Sequence, residues 1–450
     1  MSRRLYSAEE AYAILCSDSD SETETDAFSD TLFLVSDSDS SSANSCSAAS
    51  INPQVELAGP SSAAAQEMPV PPIEVASLVW TPTTSFTPKI VDFTAIPGIN
   101  LDVTNFSFMD YFSLFISEEL LTDMVRKTNL HARQYIAQHP SSTHTKNWKP
   151  TTLYEFKKFL GLTLNMGIVK KPTIRSYWAS SPTHATPVFS AVMPRHRYEE
   201  ILRFLHFNDN LQALPRTDPN YDRLFKIRPL MTYFNEIFKT HYTPEKNLSI
   251  DESLMSFKGR LRFRQYIPTK RARYGVKLYK LCESETGYTT TFRIYEGRDS
   301  KINPPRCPPN LSISGKIVWE LIQPFLHKGY HLYTDNFYTS VPLFKLLHTS
   351  STGACGTIRK NKKGFPQRLV GKQIPKGTSV FFHSDELLAV IFRDRKDVFA
   401  LSTIHTNATE AVRERGSASD KQKPECIINY NKFMGGVDLA DQVLQPYLVK

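Results

Sequence analysis

The stretch between Leu248 and Thr334 limits the fold more than any other part of the chain, because its hydrophobic pattern changes period twice. Leu248-Ser249-Ile250-Asp251-Glu252-Ser253-Leu254-Met255 reads as a strand, and Tyr274–Cys282 and Tyr288–Tyr295 read as two more. Leu311–Leu326 then repeats at helical spacing, with Ile317, Val318, Leu321, Ile322 and Phe325 as its apolar face. Tyr330–Thr334 forms a short strand that runs straight into Asp335. Strands followed by a helix and another strand predict an α/β core.

The rest of the chain divides around this core. Residues 90–245 read as mostly helical: Asp110–Thr128 places Tyr111, Phe112, Phe115, Leu120, Leu121 and Met124 at near-helical spacing. Leu153–Met166, Arg197–Leu205 and Ile227–Phe238 follow, with prolines between them. The aromatic residues of this region are core candidates. Residues 246–345 hold the first part of the α/β core. Between 346 and 430, short β-like runs (Thr378–Phe382, Leu387–Phe392, Val398–Ser402) with a turn at Arg393–Asp397 predict a β-rich insertion. Residues 431–450 return to the core.

Residues 1–89 predict a disordered acidic tail. The run from Ser17 to Asp26 alternates Ser or Thr with Asp or Glu, and too little apolar surface follows to offset chain ordering. From Met1 to Val79 there are 2 basic and 13 acidic residues, a net of about −11, against +9 for the whole chain. The remainder therefore carries about +20. A body that basic predicts a polyanionic partner, because Lys and Arg release counterions from phosphates on binding. A merely soluble basic protein is the other reading at this point. No apolar run approaches the ~20 residues of a membrane span, so no membrane role is expected. The opening MSRRLYSAEE lacks the apolar stretch of a secretory signal. Six cysteines without a CxxC pair point to a reducing compartment and to no zinc within this chain.

Three carboxylates stand out by context. Asp251 lies within a strand, where an ionised side chain is unwelcome unless exposed or liganded. Asp335 sits at the C-terminal end of a strand, where ligand sites of open α/β sheets gather. Asp438 and Asp441 are three apart in Gly435-Gly436-Val437-Asp438-Leu439-Ala440-Asp441-Gln442, so a helix opening there carries both on one face. Carboxylates converging from distant segments need cations, and hard oxygen donors without His or Cys suit Mg²⁺ or Mn²⁺. Two such ions would support phosphodiester displacement. Taken singly, each Asp serves equally well as a cap, a turn former or half of a surface ion pair. A glycosidase also uses paired acids, but that reading suits the basic surface poorly.

That surface is densest from Lys258 to Lys280. Lys258, Arg260, Arg262, Arg264, Lys270, Arg271, Arg273, Lys277 and Lys280 interleave there with Phe263, Tyr266, Tyr274 and Tyr279. On a strand, Arg260, Arg262 and Arg264 would share one face, able to track a phosphate backbone while the aromatic rings stack on bases. A solvated charged face is the alternative.

At these residues the chain resembles the piggyBac transposase family, over about Asp92 to Gln442. The resemblance rests on Ser249-Ile250-Asp251-Glu252-Ser253 with Phe257-Lys258-Gly259-Arg260, then Pro268-Thr269-Lys270-Arg271 and Gly275-Val276-Lys277. It extends through Asp335-Asn336-Phe337-Tyr338-Thr339-Ser340, Tyr430-Asn431-Lys432, and Gly435-Gly436-Val437-Asp438 with Asp441-Gln442. The resemblance implies an RNase H-like DDE core with Asp251, Asp335 and Asp438 as the catalytic, metal-binding triad and Asp441 as an assisting acid. It implies a nuclear protein, a dimer, and double-stranded DNA as partner, with transposon ends excised and reinserted at TTAA-type targets. Family members normally continue into a further helical stretch and a Cys/His-rich zinc module, whereas Lys450 comes nine residues after Asp441. Two functions are therefore expected of such a chain: a metal-dependent DNA strand-cleaving and strand-transferring enzyme, or a domesticated, catalytically inactive DNA- or chromatin-binding protein.

Overall fold

The computed structural model describes residues 71–74, 78–140, 148–268, 273–298, 302–366, 374–413 and 420–449. The helical region comes first, and its helices start where the sequence offers caps. Helices α1 (Phe108–Phe115) and α2 (Glu118–Gln138) replace the single run expected over Asp110–Thr128. The break falls at Ser117, whose side chain accepts from the Leu120 N–H at 3.2 Å and so starts a new helix. Four more follow: α3 (Leu153–Ile168), α4 (Pro187–Val192), α5 (Arg195–Phe204) and α6 (Arg228–His241). Phe156, Phe159, Tyr198, Ile201 and Phe204 are buried between them, so the aromatic residues are core.

The strands are β1 (Thr81–Pro82), β2 (Gly98–Ile99), β3 (Tyr242–Thr243), β4 (Asn247–Ser256), β5 (Gln265–Tyr266), β6 (Tyr274–Glu283) and β7 (Thr289–Ile294). Then come β8 (His331–Thr334), β9 (Gly353–Thr357), β10 (Ser379–Ser384), β11 (Leu387–Arg393), β12 (Asp397–Ser402), β13 (Thr409–Arg413) and β14 (Asp420–Pro424). The main sheet runs β1-β10-β11-β12-β9-β8-β4-β6, with β5 and β7 both on β6. Strand β8 is parallel to both β4 and β9, and the other pairings are antiparallel. Strand β9 thus extends the core sheet past residue 345, into the segment expected as insertion. Strands β10–β12 continue the same sheet, and β13 and β14 form a separate two-stranded ribbon.

Helices cover both faces. On one, α7 (Ile313–Ile322) and α8 (Val341–Thr349) pack Val318, Trp319, Ile322, Phe344 and Leu347 against Leu248, Ile250, Leu281 and Leu332. On the other, α9 (Glu425–Phe433) packs Cys426, Ile427 and Phe433 against Tyr333, Cys355, Val390 and Ala400. Neighbouring residues such as Leu332 and Tyr333 therefore serve opposite cores, as a strand's two-residue period requires.

Order begins earlier than expected. Most of the predicted acidic tail lies outside the described residues, but from Leu78 the chain packs on the sheet. Trp80 Nε1 donates to the Gly364 carbonyl at 2.8 Å, β1 pairs with β10, and Phe86 is buried in the second core. Two large rings supply the apolar surface that the preceding Ser-rich stretch lacks.

Candidate active site

Strand β4 carries two alternating sets of side chains. Leu248 and Ile250 enter the first core, so Ser249, Asp251 and Ser253 point to the face covered by α9. Its parallel neighbour β8 pairs Ile250 with Thr334, the last pair of the ladder, and Asp251 and Asp335 are each the next residue beyond that pair. Strand β8 ends there. The Asp335 carboxylate, one residue past its end, is held by the chain that follows, with the backbone N–H groups of Phe337 and Tyr338 donating to Asp335 Oδ1 at 2.9 and 3.4 Å.

Burial pushes the Asp335 carboxyl above the usual carboxylate range, against those N–H donors, and the nearby Glu252 charge adds to the rise while Arg359 opposes it. Tyr430, on α9, is raised chiefly by burial and also by the charges of Asp335 and Asp251. Its hydroxyl meets Thr357 Oγ1 at 3.4 Å. Both carboxylates therefore act electrostatically on this one phenol.

Helix α10 (Gly436–Leu444) lies against the same part of β4. Gly436 abuts Ser249, and Asp441 Oδ1 accepts from Ser253 Oγ at 2.6 Å and from Lys280 Nζ at 2.9 Å. Asp438 is in the first turn of this helix and is exposed. The structure thus sets Asp251 and Asp335 just beyond one pair of parallel strands, ties Asp441 to a serine and a lysine, and carries Asp438 exposed on the helix that abuts Ser249. Among the described residues, no three His, Cys, Asp or Glu side chains stand gathered as a ready-made ion cage.

The basic segment departs from expectation. Residues 257–264 form an irregular loop with a turn at 262–263 rather than a strand, and only Gln265–Tyr266 pair with β6. Alternation survives all the same: Lys258, Arg260, Arg262 and Arg264 are exposed, while Phe263 is buried with Leu224, Met231, Val276 and Ile294. The buried ring anchors the turn and is lost to stacking. Arg264 Nη1 closes the turn by donating to the Lys258 and Gly259 carbonyls at 2.8 and 3.0 Å. Tyr266 and Tyr274 are exposed and lie 4.7 Å apart by ring centroid. Arg273 is exposed, whereas Lys270 and Arg271 lie outside the described residues. Lys277 pairs with Glu252 at 3.0 Å and sits over the Tyr279 ring, so its charge is already neutralised within the fold.

Sequence reasoning passed over the basic run Arg359-Lys360-Asn361-Lys362-Lys363. It follows β9, the strand beside β8, and so emerges next to Asp335. Arg359 Nε donates to Asn336 Oδ1 at 3.0 Å, and Lys362 Nζ reaches the Phe337 carbonyl at 3.4 Å. The charge run was visible in sequence, but only the β8–β9 pairing places it at the carboxylates.

A family model described as Transposase IS4 matches residues 107–450. This chain belongs to the piggyBac-type transposases. Human PiggyBac transposable element-derived protein 3 is 28% identical over 355 residues, covering 74% of this chain and 55% of that protein. Human PiggyBac transposable element-derived protein 2 is 27% identical over 355 residues, covering 75% and 56%. The chain spans about half the length of these curated relatives. A cryo-EM structure of the piggyBac transposase synaptic complex with hairpin DNA superposes with a TM-score of 0.66 at 26% identity, covering 79% of this chain and 72% of that one. The mixed sheet with helices on both faces is accordingly the RNase H-like core of a piggyBac-type transposase.

Proposed function

We propose that this piggyBac-type chain acts on double-stranded DNA, with Asp251, Asp335 and Asp438 binding divalent ions for strand cleavage and transfer. The placement of Asp251 and Asp335 immediately beyond the Ile250–Thr334 pair of the parallel strands β4 and β8 carries this reading. The donor set is all carboxylate oxygen, which fits Mg²⁺ or Mn²⁺. The raised Asp335 carboxyl fits as well, since negative charge gathered in a partly buried place favours any cation that arrives. When bound, a pair of such ions supplies Lewis-acid stabilisation to the attacking and leaving oxygens.

The protein's own residues do the positioning. The N–H groups of Phe337 and Tyr338 fix Asp335. Exposed Lys258, Arg260, Arg262, Arg264 and Arg273 offer phosphate contacts, with Lys270 and Arg271 in the same segment, and Arg359 and Lys362 reach the turn that follows Asp335. The solved relative's complex with hairpin DNA supports DNA as the partner. Transposon ends, TTAA-type targets, a homodimer and a nuclear location belong to the same proposal and rest on the family likeness.

An excision assay on a plasmid carrying terminal inverted repeats flanked by TTAA, run with wild type, Asp251→Asn and Asp335→Asn, tests this. Excision lost in both variants supports the enzyme. No excision by wild type, with duplex DNA still retarded in a gel-shift assay, assigns the chain to a catalytically silent DNA- or chromatin-binding role.

A further inference from the structure

We infer that Lys280 is a built-in positioning cation of the carboxylate site, and that it holds Asp441 as its counter-ion instead of leaving it to ligate metal. The inference rests on reading Asp251 and Asp335 as the ion-binding pair. Lys280 is anomalous in its own sequence, an ammonium inside the otherwise apolar run Leu278-Tyr279-Lys280-Leu281-Cys282 of β6. Register puts it directly across from Asp251. Its side chain is only 8% exposed, and its Nζ donates to Asp441 Oδ1 at 2.9 Å. A buried ammonium is costly unless paired, so the fold has to supply a carboxylate here.

Asp441 is that carboxylate, and its Oδ1 is doubly engaged. The oxygen that takes the lysine also accepts from Ser253 Oγ at 2.6 Å, which fills both of its lone-pair directions. The other face of the sheet repeats the device, with Lys277 neutralising Glu252 at 3.0 Å. Each acid beyond Asp251, Asp335 and Asp438 thus has its own lysine. The site's effective charge is that of three carboxylates, and Lys280 supplies a fixed positive charge that weakens ion uptake at Asp251.

Two measurements on the full chain test this: Mn²⁺ binding by calorimetry, and thermal stability in EDTA. Asp251→Asn and Asp335→Asn should each weaken Mn²⁺ binding by more than about tenfold, whereas Asp441→Asn should weaken it by less than either, through the ammonium it leaves uncompensated. Lys280→Met, which keeps side-chain length and burial, should tighten Mn²⁺ binding on the order of tenfold. Asp441→Asn should lower the melting temperature more in the wild-type background than in the Lys280→Met background, because it strands the ammonium only where the ammonium is present. Equal Mn²⁺ losses for Asp441→Asn and Asp251→Asn, unchanged affinity in Lys280→Met, or additive melting shifts would each overturn the assignment. Should wild type bind no Mn²⁺ at all, the ion-binding reading of Asp251 and Asp335 fails, and the EDTA stability comparison alone decides whether Lys280 and Asp441 are a pair.

Discussion

Gly436 lies so close against Ser249 that a Cβ on it would stand 2.5 Å from the serine Oγ and 2.7 Å from the Glu283 carbonyl oxygen. The serine could rotate away, but the carbonyl is backbone and cannot. Helix α10 therefore sits flush on β4 only because residue 436 is glycine. Gly436→Ala should cost about 1–3 kcal/mol by urea denaturation, the scale of overpacking a tight contact. It should also displace Asp438, two residues on. Gly435→Ala, where a Cβ meets nothing within 4 Å, is the control and should cost well under ~1 kcal/mol. Equal costs at the two positions would contradict the close-packing account.

In the helical region one guanidinium links three segments. Arg197 donates from Nε and Nη2 to Glu155 at 2.7 Å each, from Nη1 to Glu200 at 3.1 Å, and from Nη2 to the Lys149 carbonyl at 2.8 Å. Its side chain is 13% exposed and lies over the Trp148 ring. Arg197→Ala should destabilise by roughly 2–4 kcal/mol, since it leaves Glu155 without its fork. Arg197→Lys should recover less than half of that, because an ammonium cannot span both oxygens. Full recovery with lysine would show that charge alone matters there.

Acid should weaken the fold through its buried histidines. His131 is held down to about 3, first by burial and then by the charges of His206 and Lys226, and it stacks on His206 at 4.1 Å. His331 is likewise at about 3 and His405 at about 4, both chiefly through burial, and His206 is lowered for the same first reason. Their folded values lie below the ordinary 6.5, so the unfolded chain takes up protons first as pH falls. Stability should be flat above about pH 6.5 and decline from there toward pH 4, by roughly 1–2 kcal/mol per buried histidine at pH 5. His331→Asn should make the decline shallower. Denaturation midpoints at pH 7.5, 6 and 5 check this, and equal stability at all three would refute it.

If the exposed basic turn binds phosphates, its salt dependence will show it. Arg260→Ala and Arg262→Ala should each weaken duplex binding on any sequence. Each should also reduce the slope of log affinity against log salt by about 0.9 for every phosphate left without its cation. Arg359→Ala should behave alike. Lys277→Ala should act differently, lowering stability through the loss of its 3.0 Å partner Glu252 while leaving the salt slope nearly intact. Fluorescence anisotropy over a salt series separates these outcomes.

Much of this was legible from residues alone, because local periodicity and side-chain chemistry are local quantities. The strand at Leu248–Met255, the helix over Leu311–Leu326 and the buried run Leu387–Phe392 follow from apolar spacing, and the structure places each within a few residues of its expected bounds. Asp335 at a strand end was equally visible. Local pattern failed where a distant partner decides the conformation. Residues 257–264 alternate like a strand, yet they turn because Phe263 is drawn into a core built from Leu224, Met231 and Ile294. Trp80 and Phe86 order a stretch that composition assigns to the tail.

The partners of the carboxylates belong wholly to tertiary structure. Sequence supplied Asp251, Asp335 and Asp438 as a triad with Asp441 as an assisting acid, but no partner for any of them. Parallel pairing of β4 with β8 set two of them just beyond one pair of strands, and the packing of α10 joined Asp441 to Lys280. Charges far apart in sequence acquire a common role only when the backbone brings them within a few ångströms, where Coulomb interaction is strong and solvent screening weak.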